Sequence, residues 1–349
     1  MPPFSPRLSR QGAKPHKTRR QLQAGSSGRF SFTIVFVPQE LFDEADRLEE
    51  QGQGARALPI WRRLAAIKPT RNGFLRLGRL AHSLGMAVDA EQAFQRALEI
   101  DGRSAEALRA LGMLAIDQSD YQTAVLYLQR DREIREDPGG LSLLGVALRN
   151  TGRAVDAEEA YRSAIRLDSH YEEAHYNLGA LLREDRPSEA QIHFRRALEL
   201  DPVYAAAHRE LGFVLGRGLH AEAENHLRKA VELAPEDVWA HIYLGAYLWE
   251  SDAGAAETEF RIAATLGPAW SMPLSWLGKI YESRDADTAQ SFFERALQLE
   301  ADDFEALVGL ARIFKKRGQV NLALQYATQA LQHDPGDEAT LALLQEING

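Results

Sequence analysis

The 349-residue chain contains no cysteine. This absence excludes a disulfide framework, a cysteine nucleophile, an iron–sulfur cluster and a thiolate zinc site. The chain also lacks an Asn-x-Ser/Thr sequon, and no apolar run approaches the roughly 18 residues that indicate a membrane-spanning helix. These absences argue against a secreted glycoprotein and against a membrane span, so we predict a cytoplasmic protein.

Acidic residues are missing from positions 1–37, although the whole chain has a net charge of −9. Seven basic residues lie in this segment, so the rest of the chain carries a net charge of −16. We predict a disordered basic arm at 1–37, because such a composition buries little apolar surface. An organelle transit peptide, or a start site placed upstream of the native one, is an alternative. The acidic remainder argues against nucleic-acid binding by the whole chain.

A leucine–glycine pair recurs at a nearly constant interval along the chain. The glycines are Gly78, Gly112, Gly145, Gly179, Gly212, Gly245 and Gly278. An alanine recurs further along each unit, and three positions before it an aromatic residue or a leucine is usual. Each unit contains two segments with apolar residues at helical spacing, separated by a polar turn. This pattern predicts pairs of helices whose small residues let their backbones approach closely.

These residues resemble the tetratricopeptide repeat, a 34-residue helix–turn–helix unit. With the recurring glycine at position 8, nine repeats are expected over residues 38–337, followed by a capping helix at 338–349. The resemblance implies an all-α, right-handed α-α superhelical solenoid. It also implies a concave surface, built by the first helix of each repeat, that binds protein or peptide segments.

The repeats leave too few residues for a catalytic domain. We therefore predict that the chain is not an enzyme, binds no cofactor, and serves as a protein–protein interaction scaffold. Two alternatives stay open. One is binding of nucleic acid or another anion through the basic arm and the groove. The other is an accessory or targeting subunit of a glycosyltransferase-type enzyme held in another chain.

Basic residues are concentrated at groove positions. At first-helix positions 5, 9 and 12 of repeats 2–9, eight side chains are basic and one is acidic, whereas the overall composition would place about three of each there. The basic residues are Arg79, Arg109, Arg149, Arg183, Arg209, Lys279, Arg312 and Lys315. Although a solvated charged face is the alternative, we expect these side chains to face a partner, with Arg149, Arg183 and Arg209 staying out of the contacts between repeats. The predicted partner is therefore a protein or peptide segment of acidic character.

Aromatic residues mark a second part of the expected groove. Tyr243, Trp249 and Trp276 occupy first-helix positions 6, 12 and 6 of repeats 7 and 8. Large aromatic residues near arginines are typical anchors for a bound segment. Packing between adjacent first helices is the alternative.

Two polar features concern packing rather than binding. His175, His208 and His241 form a column at position 4, one repeat apart. Packed helices lie about 8–10 Å apart, so one metal ion cannot join two of these histidines, and we predict packing residues and no metal site. Asp131 stands where a small apolar residue should meet repeat 4. It is either a solvated or capped side chain or the mark of a weak seam that lets the array bend.

Overall fold

The structure, a computed structural model, describes residues 39–216 and 221–348. Within these ranges it contains nineteen helices and no β-strand. The helices are α1 (Gln39–Glu50), α2 (Gly54–Ile67), α3 (Arg71–Ser83), α4 (Ala87–Ile100), α5 (Ala105–Asp117), α6 (Tyr121–Ile134), α7 (Pro138–Asn150), α8 (Ala154–Leu167), α9 (Glu172–Leu182), α10 (Pro187–Leu200), α11 (Ala205–Gly216), α12 (Ala221–Leu233), α13 (Val238–Leu248), α14 (Ala253–Leu266), α15 (Met272–Tyr281), α16 (Ala286–Leu299), α17 (Phe304–Lys316), α18 (Val320–His333) and α19 (Glu338–Asn348). The predicted all-α solenoid is confirmed, whereas the predicted arm at 1–37 lies outside the described residues.

The helices stack in consecutive pairs. Each odd-numbered helix from α1 to α17 packs against the even-numbered helix that follows it, and α19 packs on α18. Several odd-numbered helices also contact the next odd-numbered helix, as α7 does with α9 and α11 does with α13. Among the described residues, even-numbered helices make no comparable contact with one another. The odd-numbered helices are therefore the more closely spaced layer, and they line the inner surface of the curved stack.

Short polar side chains begin many of the helices. Asp137 accepts a hydrogen bond from the backbone N–H of Gly140 at the start of α7 (3.0 Å), and Asp303 accepts one from Ala306 at the start of α17 (2.9 Å). These side chains satisfy backbone donors that the first turn of a helix leaves without a partner. Polar residues in the turns therefore fix where these helices start.

The core of repeats 2–8 depends on a glycine of the first helix packed against a large side chain of the second. A Cβ atom added at Gly145 would lie 2.4 Å from Cε1 of Tyr161, and one at Gly78 would lie 2.4 Å from the same ring atom of Phe94. Tyr161 and Phe94 are both completely buried. Because the ring occupies the space of a Cβ, only glycine permits this separation between the two helices of the repeat.

Replacing Gly145 should loosen its own repeat and little else. Gly145→Val puts a branched side chain into the Tyr161 ring, and overpacking of this kind costs about 2 kcal/mol. Amide hydrogen exchange in α7 and α8 should then be about 30-fold faster, since 1.4 kcal/mol corresponds to a factor of ten. Gly102→Val is the control, because an added Cβ at Gly102 meets nothing within 4 Å. Equal exchange in the two variants would contradict the packing argument.

The position-4 histidines each contact the second helix of their own repeat. Nδ1 of His175 lies 3.1 Å from Nδ1 of His193. In the next repeat Nδ1 of His208 lies 2.8 Å from Nδ1 of His226. His241 differs, because its Nδ1 lies 2.6 Å from the Glu259 carboxylate. We call the first two contacts the histidine dyads.

The dyads should make the fold sensitive to acid. Burial, followed by the neighbouring His175, lowers the pKa of His193 to about 4, and burial also lowers the pKa values of His175, His208 and His226. The other charged groups that face His193 are Arg162 and Glu189, and those that face His226 are Glu222 and Arg195.

The unfolded chain takes up protons near the ordinary histidine pKa of about 6.5, before the dyads do. The free energy of unfolding should therefore fall as the pH drops from about 6.5 towards 4. Glu259 raises the pKa of His241, so His241 opposes this trend. It stabilises the fold below a pH of about 6.5 and loses that effect as the pH rises through its pKa in the folded chain. Thermal unfolding followed by circular dichroism from pH 7 to 5 checks this, and H193Q/H226Q should flatten the dependence. An unchanged slope in that variant would assign the acid sensitivity to other groups.

Candidate functional site

A cavity of about 320 Å³ opens on the inner surface where four first helices meet. It is lined by residues of α7, α9, α11 and α13, namely Arg149, Tyr176, Ala180, Arg183, Arg209, Glu210, Trp239 and Tyr243. The structure thus brings together four of the residues predicted from the sequence, Arg149, Arg183, Arg209 and Tyr243. We call this cavity the central cavity.

Glu210 forms the floor of the central cavity and is 3% exposed. Its carboxylate lies 2.5 Å from Nη1 of Arg183 and 2.9 Å from Nη2 of Arg209. Arg209 also reaches the carboxylate of Asp237, at 2.5 Å, and Asp237 in turn accepts hydrogen bonds from the first turn of α13. A chain of ion pairs therefore links α9, α11 and the start of α13.

These contacts hold the two arginines charged and in place. Burial alone would lower the pKa of Arg209, but Glu210 and Asp237 outweigh it and raise that pKa above its ordinary value. The guanidinium of Arg183 lies 5.6 Å from the centre of the Phe213 ring, which restricts it further. An arginine carries five N–H donors, so both side chains keep donors beyond those that Glu210 uses.

Arg149 differs from its two neighbours in the cavity. It is exposed, and among the described residues it makes no hydrogen bond or ion pair. Arg79 on α3 is likewise exposed and without such a partner there. These two are the arginines of the predicted stripe that are available to a partner without breaking a contact within the chain.

The other six basic residues of the stripe are paired with acids of the described chain. Besides Arg183 and Arg209, the pairs are Arg109 with Asp131 (3.0 Å), Lys279 with Glu305 (2.7 Å), Arg312 with Glu282 (3.5 Å), and Lys315 with Glu346. The expectation that Arg149, Arg183 and Arg209 stay out of the contacts between repeats is therefore wrong for Arg183 and Arg209, and Arg109 joins repeats in the same way. Apart from Glu210, which follows Arg209 on α11, the acidic partners belong to other helices or to the turns before them, so these pairs cross between elements of the stack.

Aromatic rings continue from the central cavity towards the next repeat. Phe213 and Tyr243 are stacked with their centroids 4.5 Å apart, Tyr243 lies 5.6 Å from Trp239, and Trp239 lies 5.1 Å from Trp270. Trp239 is 36% exposed and Trp270 is 37% exposed. Tryptophan and arginine are the residue types most enriched among the anchors of protein interfaces, and here exposed indole rings lie beside arginines.

The remaining predicted residues lie further along the inner surface. Trp249, Trp276 and Lys279 line a second cavity, of about 610 Å³. Trp276 is stacked on Phe260 with centroids 5.3 Å apart, and Nζ of Lys279 lies 4.6 Å from the centre of the Trp276 ring. Part of the Trp276 side chain is therefore buried by packing against the core. Arg312 and Lys315 line a third cavity, against α19.

The sequence matches models of the tetratricopeptide repeat over most of its length. One model matches five overlapping segments between residues 42 and 238, and a second matches residues 281–347. The chain belongs to the tetratricopeptide repeat family. Such repeats are generally non-catalytic and mediate protein interactions. No curated protein matches the chain.

Solved structures resemble parts of this tetratricopeptide repeat chain. One is YrrB, described as a TPR protein with an unusual peptide-binding site, at 23% identity and a TM-score of 0.40 over 48% of this chain and 88% of YrrB. Another is MamA, at 23% identity and a TM-score of 0.41 over 46% of this chain and 95% of MamA. Among the described residues, no helix has the length and apolar character needed to cross a membrane.

Sequence reasoning missed Tyr176, Glu210 and Phe213. Tyr176 and Phe213 stand at the same repeat positions as the basic residues, but only charge was counted at those positions. Glu210 stands at position 6, where the predicted groove residues were aromatic and no acid was expected. A search for an acid slightly less than one repeat after each groove arginine would have found both Glu210 and Asp237.

Asp131 is a capped side chain of the third repeat. It is 1% exposed, and burial raises the pKa of its carboxyl despite the opposing effect of Arg109. Nε of Arg109 donates to its carboxylate at 3.0 Å, and the same guanidinium reaches Asp137 at the start of α7. The partner is therefore a groove arginine on α5 rather than Arg130 or Arg132 beside it in the sequence. Arg109 thus ties α5 to α6 and α7.

Removing Arg109 should open this seam between tetratricopeptide repeats. Arg109→Ala leaves the buried Asp131 carboxylate without its partner, at a cost of about 3 kcal/mol. Limited proteolysis should then cut between α6 and α7 before it cuts elsewhere. Arg79→Ala is the control, because Arg79 has no partner among the described residues, and its stability should change by no more than about 0.5 kcal/mol. Similar proteolysis of the two variants would show that Arg109 does not hold the seam.

Proposed function

We propose that this chain is a non-catalytic scaffold that holds an extended or helical protein segment of acidic character on its inner surface. The segment would cross the first helices α7, α9, α11 and α13. The observation that carries this proposal is the central cavity, where the unpaired Arg149 stands beside two fixed arginines and the aromatic rings of Trp239 and Tyr243.

The fixed arginines suit a carboxylate of the partner. Arg183 and Arg209 are already oriented by Glu210, so a bound segment need not order two long side chains itself. Binding sites that are preorganised in this way lose less conformational entropy on association. Arg149 adds a charge that no acid of the described chain neutralises, which favours an acidic side chain over a neutral one at this place.

The aromatic rings suit an apolar side chain next to that acid. Tyr243 forms one wall of the cavity, and Trp239 lies at its rim with more than a third of its surface exposed. Buried aromatic anchors commonly supply most of the affinity of an interface, while rim charges contribute less. We therefore expect the best partner to combine an acidic residue with an apolar one.

Charge reversal at Arg149 is the clean test of the central cavity. Arg149→Glu removes the unpaired charge and adds repulsion, so acidic peptides should bind about tenfold more weakly, which corresponds to 1.4 kcal/mol. Fluorescence anisotropy with acidic, neutral and basic peptides of matched length measures this. Arg130→Glu is the matched control, because Arg130 is exposed on the second helix α6, outside the inner surface.

Reversal of Arg183 or Arg209 would be harder to interpret. Either change would place a third carboxylate beside the buried Glu210, so a loss of binding would also reflect damage to the fold. If Arg149→Glu binds acidic peptides as the parent does while Arg130→Glu weakens them, the central cavity is not the site. Peptide binding that does not depend on peptide charge would contradict the acidic partner.

A further inference from the structure

A pocket lined by uncharged residues adjoins the central cavity on the inner surface. It measures about 210 Å³ and lies between α11 and α13, with Leu227 of α12 at its base. Tyr243 lines both this pocket and the central cavity, so its side chain forms a wall that the two share. We call it the apolar pocket, and the described residues that line it are Gly212, Phe213, Gly216, Leu227, Tyr243, Ala246 and Tyr247.

The base of the pocket carries a leucine where most repeats carry a ring. In repeats 4, 5, 7 and 8 the side chain that packs against the glycine of the first helix is aromatic, whereas in repeat 6 Leu227 packs against Gly212. A leucine side chain extends less far than a phenylalanine ring. It therefore fills the contact with Gly212 and leaves space towards the inner surface. The aromatic residues of the other four repeats are Tyr161, Phe194, Phe260 and Phe293.

Small residues next to the base keep this space open. Repeat 3 also has a leucine at the base, Leu128. There, Ile116 and Val146 pack against the core cluster that contains Leu128. The equivalent positions of repeats 6 and 7 hold Gly216 and Ala246, which offer no more than one methyl group between them. A leucine at the base produces a pocket only where such small residues accompany it.

The pocket lies on a continuous path along α13. Towards the start of α13 it shares Tyr243 with the central cavity. Towards the end of α13 it shares Gly216, Ala246 and Tyr247 with the second cavity, the one that Trp249 lines. A segment that occupies the central cavity and follows this path passes directly over the apolar pocket.

The volume of the pocket suits one side chain. Pockets that enclose a whole drug-sized ligand measure about 300–1,000 Å³, and this one is smaller. The rings of Phe213 and Tyr243 are stacked with their centroids 4.5 Å apart, so they give the pocket a fixed aromatic wall. With no charged group among the described lining residues, a buried charge would have no ionic partner there, whereas an apolar side chain needs none.

We propose that the apolar pocket binds one large apolar side chain, of leucine to phenylalanine size, from the same acidic segment that occupies the central cavity. This inference rests on the proposed function, because it assigns a further residue of that segment to a site of its own. Only the ring of Tyr243 separates the two sites, so the acidic and the apolar residue stand within a few positions of each other in the partner. Burial of leucine in place of alanine should strengthen binding about tenfold.

A cycle of changes in the peptide and in the chain tests the proposal. Peptides of matched length carry one glutamate and a leucine placed in turn at each neighbouring position, and the leucine of the best binder is then replaced by alanine. Fluorescence anisotropy with the unaltered chain should show a preference of about tenfold for leucine over alanine. Ala246→Leu fills the pocket from its wall, so that preference should fall to about twofold or less.

Leu227→Phe fills the same pocket from its base and guards against a first variant that fails to fold. It introduces the residue that repeats 5, 7 and 8 carry at this place, so it suits the packing of a repeat. Loss of the leucine preference in either variant supports the pocket. A preference that survives in both variants, or equal binding of the two peptides by the unaltered chain, would overturn it.

Arg149→Glu separates this proposal from the proposed function. Arg149 lines the central cavity and not the apolar pocket, so the charge reversal should weaken both peptides and keep the preference for leucine. If it weakens neither peptide while the pocket variants lose the preference, the acidic partner is wrong and the apolar pocket stands. If it weakens both while the pocket variants keep the preference, the apolar pocket is wrong and the acidic partner stands.

Discussion

The close approach of the two helices in each repeat is the constraint on which the rest of the structure depends. At Gly145 the ring of Tyr161 takes the place of a Cβ atom, and the same replacement recurs along the stack. Because the second helix is held this near the first, the alanine further along the second helix can meet the next repeat. The first helices are then brought into one layer, and that layer is where side chains of successive repeats can combine into a site.

Ion pairs between first helices are the second level of organisation. Glu210 on α11 is held by Arg183 on α9 and by Arg209, which itself reaches Asp237 before α13. Arg109 does the same for α5 and α7 through Asp131 and Asp137. A buried carboxylate is unfavourable without its partner, so these pairs fix the order and spacing of the helices as well as their charge. The apparent basic stripe of an acidic protein is therefore, for the most part, half of an internal network.

The sequence was sufficient for the fold and insufficient for the site, for a physical reason. Gly145 and Tyr161 lie inside one repeat, and their contact recurs with the period of the chain, so periodicity alone reveals it. Glu210 and Asp237, the partners of Arg183 and Arg209, lie on or just before other first helices, and only some repeats carry such a pair. A census of basic residues by position cannot separate Arg149, which is exposed and unpaired among the described residues, from Arg209, which has two acidic partners. Only the placement of the acids makes that distinction.

The histidine column shows the same limit of sequence reasoning. It also connects the histidine dyads to the central cavity. The column was visible in the sequence, but the partners that define it, His193, His226 and Glu259, stand 18 residues later on the second helices. In α11, His208 immediately precedes Arg209 and Glu210. Protonation of His208 therefore acts on the same turn of helix that supplies the floor of the central cavity. Since each repeat contacts only its neighbours, that influence should be confined to repeats 5, 6 and 7, which are the repeats whose first helices α9, α11 and α13 form most of the cavity.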